Sequence, residues 1–320
     1  MKKILLIAIL TLGFISCESN EEKKYTIAGI AVSNPDFSVL ESAAIYGNAV
    51  TLLSSPNASD PSGKFTVFAP NNAAFGRLGL NNANDLVGLN RDFLTNTLFY
   101  AVGNGDRSFA SFMIGSTYGS ALGENRRFIA RGSDTYVNGS KIIATNISAS
   151  NGTIHIVDKV LLATGLDIAQ STIAVSQSKV FTSPDLTFLL EAVVYCNLVG
   201  TLSAPNSSYT VFAPNDAAFK KLGVILGVPL NVPADIRLLP VATVTQVLLT
   251  NVFATSKFTS ELNAGTITSV NGKVLTLGAF DNGVLTIKGP GNGTNVANMT
   301  IPDIFCKNGV VHITDRVLLP

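Results

Sequence analysis

Residues 65–75 read FTVFAPNNAAF, and residues 209–219 read YTVFAPNDAAF. The two stretches lie 144 residues apart and share Thr-Val-Phe-Ala-Pro-Asn and Ala-Ala-Phe. Each opens with β-branched and aromatic residues and halts at a proline, which has no amide to give to a sheet ladder. Each therefore predicts a short strand ending at Pro70 or Pro214. The next residue, Asn71 or Asn215, offers a side-chain oxygen to the free amides of a following helix. Neither stretch holds a nucleophile or a base. A strand, a stop and a helix cap are written twice, so a folding unit is duplicated rather than a catalytic centre.

Further blocks match in order. Asn34-Pro35-Asp36 faces Ser183-Pro184-Asp185 at an offset of 149, and NGTIHIVDKVLL from Asn151 faces NGVVHITDRVLL from Asn308 at an offset of 157. Drifting offsets mean that loops changed length around a common core. The first copy has the longer loop near ASDPSGK, and the second has added residues around KGPGNGTNVAN. Asn34 caps a helix with Pro35 in its first position. Leu40, Ala43, Ala44, Gly47, Val50 and Leu53 then form one buried helical stripe, matched by Leu189, Ala192, Val193, Cys196, Val199 and Leu202. The closing block alternates, with Ile154 and Ile156, then Val311 and Ile313, behind an Asn-Gly turn. GPGNG from Gly289 has no helix pattern after it and reads as a flexible loop. Asn-x-Ser/Thr sites such as Asn57 and Asn206 read as loop composition.

At 320 residues the chain is long enough for two domains, and 47% hydrophobic against 13% charged residues supplies ample core. A net charge of +1 offers no basic field for nucleic acid. At the start, Lys2 and Lys3 precede an apolar run too short to span a bilayer, so residues 1–16 read as a signal peptide. The sequence FISC resembles the bacterial lipobox, which makes Cys17 the lipidation residue. Residues 17–24 are then the acylated cysteine and a charged tether. Acidic residues just after Cys17 resemble the surface-export signal of Bacteroidetes lipoproteins. The expected location is the cell envelope, lipid-anchored, at the outer membrane and exposed on the surface. Cys196 and Cys306 fit no metal spacing and read as two buried thiols.

The ordered, duplicated blocks, TVFAP with AAF and NG-x-(Ile/Val)-His-Ile-x-Asp-x-Val-Leu-Leu, resemble the fasciclin domain family. The resemblance covers residues 25–163 and 169–320, with 164–168 as linker. It implies an α+β fold of two tandem domains, each a twisted β-wedge or sandwich with several packed helices, used extracellularly for adhesion. The family often carries a Tyr-His pair linked to cell-receptor binding. Here the aligned positions read Tyr100-Ala101 and Thr250-Asn251, leaving Tyr100 as the candidate ligand contact and no histidine at either site.

The two histidines, His155 and His312, occupy one repeat position and read as structural, each a strand imidazole bonded to nearby backbone. Asp158 and Asp315, three residues on, are placed to brace that turn by accepting backbone amides. No nucleophile elbow, phosphate loop, metal set or cofactor motif is present in the sequence. The reading is a non-enzymatic adhesion or binding module. Its ligand is an extracellular or envelope protein or glycan, its membrane contact is the lipid anchor, and nucleic acid is not a partner. Surface glycan capture is the alternative, and a carboxylate-based hydrolase the more distant one. Loops 54–64 and 289–298, which differ between the copies, are expected to carry recognition, with the first domain making the main contact through Tyr100.

Overall fold

The computed structural model describes residues 24–183 and 185–320. The signal peptide and Cys17 lie outside the described residues.

In the first domain, helices α1 (Ile27–Ser33), α2 (Ser38–Tyr46) and α3 (Val50–Ser54) precede strand β1 (Phe65–Pro70). Helices α4 (Asn72–Gly76) and α5 (Arg91–Ala101) follow, then strands β2 (Val102–Asn104), β3 (Thr117–Gly119), β4 (Asn125–Arg131), β5 (Asp134–Val137), β6 (Ser140–Ala149) and β7 (Gly152–Val157). The sheet order is β2-β1-β7-β6-β5-β4-β3, with β1 and β7 parallel and the other neighbours antiparallel. The sheet curls until its edges meet, where the Ala121 amide donates to Val102 O at 2.8 Å. The second domain repeats the plan. Helices α6 (Ile168–Ser176), α7 (Thr187–Tyr195), α8 (Val199–Leu202), α9 (Asp216–Leu226) and α10 (Val241–Thr250) accompany β8 (Tyr209–Pro214), β9 (Val252–Phe253), β10 (Gly265–Thr268), β11 (Val274–Leu277), β12 (Thr286–Lys288), β13 (Ala297–Cys306) and β14 (Gly309–Thr314). Its order, β9-β8-β14-β13-β12-β11-β10, is the same order strand for strand. The result is two α+β wedges in tandem.

Alternation along β1 sends Val67 and Ala69 to the helices and Phe68 into the wedge interior, so this strand is covered on both faces. The Asn-Gly turn does more than reverse the chain. Asn151 Oδ1 accepts the Ile27 amide at the start of α1, and its Nδ2 donates to Leu53 O at the end of α3. Asn308 makes the same two bonds, to the Ile168 amide and to Leu202 O. The next glycine lets two strands approach, since a Cβ on Gly152 or Gly309 would lie 2.1 Å from the carbonyl oxygen of Phe65 or Tyr209.

Several expectations are corrected here. The stripe through Val50 and Val199 is two helices in each copy. Asn48 and Asn197 adopt left-handed backbone (φ 55° and 53°), and the amides of Ala49 and Leu198 close back onto Ala44 and Val193. That is a Schellman stop built on asparagine, which tolerates this conformation better than other residues with a Cβ. Val50 is consequently exposed, and Cys196 is half-buried rather than buried, while Cys306 is buried and burial raises its thiol to about 11. The GPGNG segment is pinned rather than flexible. Buried Asn292 accepts the Gly289 and Leu319 amides and donates to Val317 O. Asn57 likewise is a buried hub, donating to Lys64 O and to Asn104 Oδ1 across loop 54–64. The added residues of the second copy fall in two places. Residues 288–296 replace a two-residue turn at Asn138-Gly139, and α9 has 11 residues against 5 in α4.

The domains are bonded to each other. Lys159 Nζ meets Asp303 Oδ2 at 2.5 Å, Gly283 O at 2.8 Å and Thr259 Oγ1 at 3.1 Å, all buried. Arg127 pairs with Glu261 at 3.0 Å, Arg131 donates to Ser260 O and Leu262 O, and the Phe305 amide donates to Leu162 O.

Candidate functional site

The histidines sit at matched nodes inside the wedges. Parallel pairing sets His155 beside Phe68 and His312 beside Phe212, and each imidazole stacks on that ring at 5.5 and 5.6 Å. Nε2 of His155 bonds Arg107 O at 3.0 Å, and Nε2 of His312 bonds Lys257 O at 3.1 Å. Nδ1 accepts a backbone amide in both, from Asn146 at 3.4 Å and from Asp303 at 3.1 Å. Asn146 and Asp303 are themselves left-handed bulge residues (φ 60° and 64°), and each accepts a loop amide, from Phe109 or Thr259. An amide donating to Nδ1 puts the proton on Nε2, so both rings are neutral. Burial depresses both imidazoles below the usual range. Asp303 is held low, against its own burial, chiefly by the ammonium of Lys159.

Asp158 Oδ1 accepts the Lys141 amide at 2.7 Å, and Asp315 Oδ1 accepts the Asn298 amide at 2.8 Å. Each carboxylate thus ties the end of the histidine strand to the start of its antiparallel neighbour, and each also faces a surface cation, Arg77 at 3.3 Å or Lys221 at 3.8 Å. The four positions form two separate, equivalent braces, one per domain. Among the described residues no group of three or more His, Cys, Asp or Glu gathers as a metal site.

Tyr100 is not at the surface. It is 0% exposed, donates its phenol to Asn125 O at 2.9 Å and accepts from Asn138 Nδ2 at 2.8 Å. Its ring stacks on Phe305 of the second domain at 5.0 Å, and burial pushes the phenol well above its ordinary range. A fully buried side chain with its ring stacked and its hydroxyl bonded inside the protein has nothing to offer a ligand, so the expected contact is withdrawn. Helical position and residue type alone cannot distinguish a tyrosine facing water from one facing a second domain.

Two features had no place in the sequence reading. The longer α9 ends in Val224, Ile225 and Leu226, which are 84%, 58% and 48% exposed. Leu226 also borders an apolar groove of about 160 Å³ shared with Phe219, Ile236, Leu239 and Val244. The available signal was the unbroken run Val-Ile-Leu after the helix had satisfied its buried stripe. The second feature is Arg126, buried in the first wedge with Nε and Nη1 unpaired. Alternation along β4 turns it inward, although its sequence neighbours are polar.

The fasciclin domain family matches residues 35–163 and 184–320. Protein sll1483 of Synechocystis sp. is 35% identical over 138 residues, covering 43% of this chain and 73% of its own length. Protein sll1735 of the same organism is 36% identical over 137 residues, 41% of this chain and 86% of its own length. Transforming growth factor-beta-induced protein ig-h3 of Sus scrofa is 27% identical over 266 residues, 81% of this chain but 35% of that longer protein. Among solved structures, a FAS1 domain pair from the insect cell adhesion molecule Fasciclin I aligns over 80% of this chain and 89% of its own, with 17% identity and a TM-score of 0.39. With both halves matched in order, the chain belongs to the fasciclin domain family.

Proposed function

We propose that the protein is an adhesion or binding module of the cell envelope, anchored through lipid on Cys17 and built from domains 25–163 and 169–320. Its partner is an extracellular or envelope protein or glycan. The observation that carries this reading is the apolar end of α9, where Val224, Ile225 and Leu226 face solvent in succession beside an apolar groove. Contiguous exposed aliphatic groups are costly to keep in water and are retained where a partner covers them. The membership supports the same reading, since proteins of this family act outside the cell as binding units. His155, Asp158, His312 and Asp315 are proposed to hold the wedges rather than the ligand, and no enzymatic role is proposed. Among the described residues no helix is long and apolar enough to cross a membrane.

The test replaces Val224 and Ile225 with aspartate and measures adhesion of beads coated with the protein to cells and to matrix proteins or glycans. Adhesion should fall at least tenfold with an unchanged melting temperature, because neither side chain belongs to the core. Undiminished adhesion would move the contact elsewhere on the surface. For the anchor, Cys17→Ala should leave the protein unprocessed or released from the membrane fraction.

A further inference from the structure

The first wedge contains a charge that its own fold leaves unanswered. Arg126 is 2% exposed, and of its three guanidinium nitrogens only Nη2 is bonded, to Gly119 O at 2.7 Å. Among the described residues it makes no ion pair. The ring of Phe68, 5.0 Å from Cζ, offsets part of the desolvation but supplies no acceptor. Burial lowers the group only to about 10, so it remains a cation at neutral pH. A buried cation with two donors unpaired is a destabilising arrangement that proteins otherwise avoid.

Arg126 borders a cavity of about 260 Å³, with Phe68, Phe112 and Tyr118 as its aromatic walls. Arg107, exposed and 5.1 Å above the Tyr118 ring, adds a second cation to the same lining. Gly103 is what makes room: a Cβ there would lie 2.5 Å from Arg126 Nη2. The second wedge shows that the fold does not need any of this. Strand register places Leu275 where Arg126 stands, Ile267 where Tyr118 stands and Phe253 where Gly103 stands. Leu275 and Ile267 belong to the apolar core of the second wedge, which carries no charge at that position.

We infer that the wedge of the first domain is a binding site for one small oxyanion, a carboxylate or sulfate group, received by Arg126 with Arg107 as the outer cation. The planar fork of a guanidinium matches such groups in geometry and charge. The cavity is slightly smaller than the ~300–1,000 Å³ of pockets that enclose drug-sized ligands, which sets the ligand at the size of a single acidic sugar or a smaller acid. This goes beyond the adhesive reading and does not depend on it, since the α9 surface lies in the other domain.

The experiment titrates the purified protein with sodium glucuronate, sodium sulfate and, as the neutral control, glucose, following heat of binding and melting temperature. Glucuronate or sulfate should bind and raise the melting temperature, the stronger of the two naming the group, while glucose does neither. Arg126→Leu, which installs the residue of the second wedge, should weaken binding at least tenfold and leave the melting temperature equal or higher. Arg107→Ala, at an exposed position, should keep the fold, weaken binding several-fold and flatten its dependence on salt. Should Arg126→Leu not fold, Arg126→Lys decides, keeping the charge and losing the fork and most of the affinity. Silence with both anions, or wild-type affinity in the Arg126 variants, would overturn the site. Adhesion should be the same in all of these variants, which separates this test from the previous one.

Discussion

The two domains close the same wedge around different contents. Thr66 and Thr210 each accept a loop amide and donate to a loop carbonyl at 2.6 Å, and the Asn, His and Asp side chains of the closing block repeat their bonds to the backbone. Inside, the first wedge is aromatic and polar, with Phe112 stacked on Phe128 at 4.2 Å beside Tyr100 and Arg126. The second is aliphatic, filled by Leu262, Leu275, Leu277, Ile287 and Met299. Outside the shared Val-Phe-Ala-Pro strand, the residues kept in both copies include those with directional partners on the backbone. Interior positions answer mainly to volume and apolarity, and so could diverge while the frame stayed fixed.

The largest expected effect tests where the copies meet. Lys159 and Asp303 are both buried, and the domain 1 counterpart of Asp303 is Asn146, which keeps the left-handed turn without the charge. Removing one partner strands the other, so Lys159→Ala should cost about 3–5 kcal/mol and split thermal unfolding into two transitions. Pairing Lys159→Met with Asp303→Asn removes both charges and should recover much of the loss. If calorimetry shows a single transition and little change in Lys159→Ala, the pair is not what joins the domains.

The histidine nodes come next. His155→Ala and His312→Ala should each lower stability by roughly 1–3 kcal/mol, because buried amides and carbonyls lose their partner. The effect should be larger at His312, whose Nδ1 contact holds the bulge carrying Asp303. Both imidazoles are depressed in the fold, so the unfolded chain takes up protons first as the pH falls below about 6.5. Stability is therefore full above that pH and drains away below it, down to the folded-state values. Urea unfolding at pH 7.5 and 5.5 should show that loss shrinking in each alanine variant. An undiminished acid loss would place it on the carboxylates instead.

A smaller change is expected for Tyr100→Phe. The ring still stacks on Phe305, but Asn138 Nδ2 loses its acceptor and Asn125 O a donor, for about 1 kcal/mol. Adhesion should not change. A variant of normal stability that adheres poorly would restore Tyr100 as a contact.

Much of this fold was legible because its signals are local. Proline ends β1 and β8, Asn71 and Asn215 cap the next helices onto the amides of Ala74 and Ala218, and the blocks repeat in order. What escaped was decided by atoms far away in the chain. Tyr100 is buried by a ring about two hundred residues distant, Asn292 is pinned by Val317 and Leu319 beyond β14, and Arg126 borders a cavity whose walls come from five separate segments. The α9 ridge lay between, since its run of aliphatics was visible but its exposure depended on how much of the helix the core could cover.

The breaks at Asn48 and Asn197 were missed for a different reason: period alone carries a stripe straight through a residue that tolerates either hand. They also provide the finest comparison between the copies. Both asparagines are exposed and left-handed, and both end their helix with the same pair of backbone bonds. Glycine reaches that conformation with no Cβ to strain, which favours the fold, yet it loosens the unfolded chain, which opposes it. At Asn197 these effects should nearly cancel, leaving Asn197→Gly within about 0.5 kcal/mol of the parent. Asn48 differs in one respect, because its Oδ1 accepts Arg91 Nη2 at 2.6 Å and so ties the break to the start of α5. Asn48→Gly should therefore be the costlier by roughly 0.5–1 kcal/mol, the worth of an exposed charge-assisted bond. In Arg91→Ala, where the bond is already gone, Asn48→Gly should behave as Asn197→Gly does. If the two glycine variants differ just as much in that background, the Arg91 bond is not the source of the asymmetry between the copies.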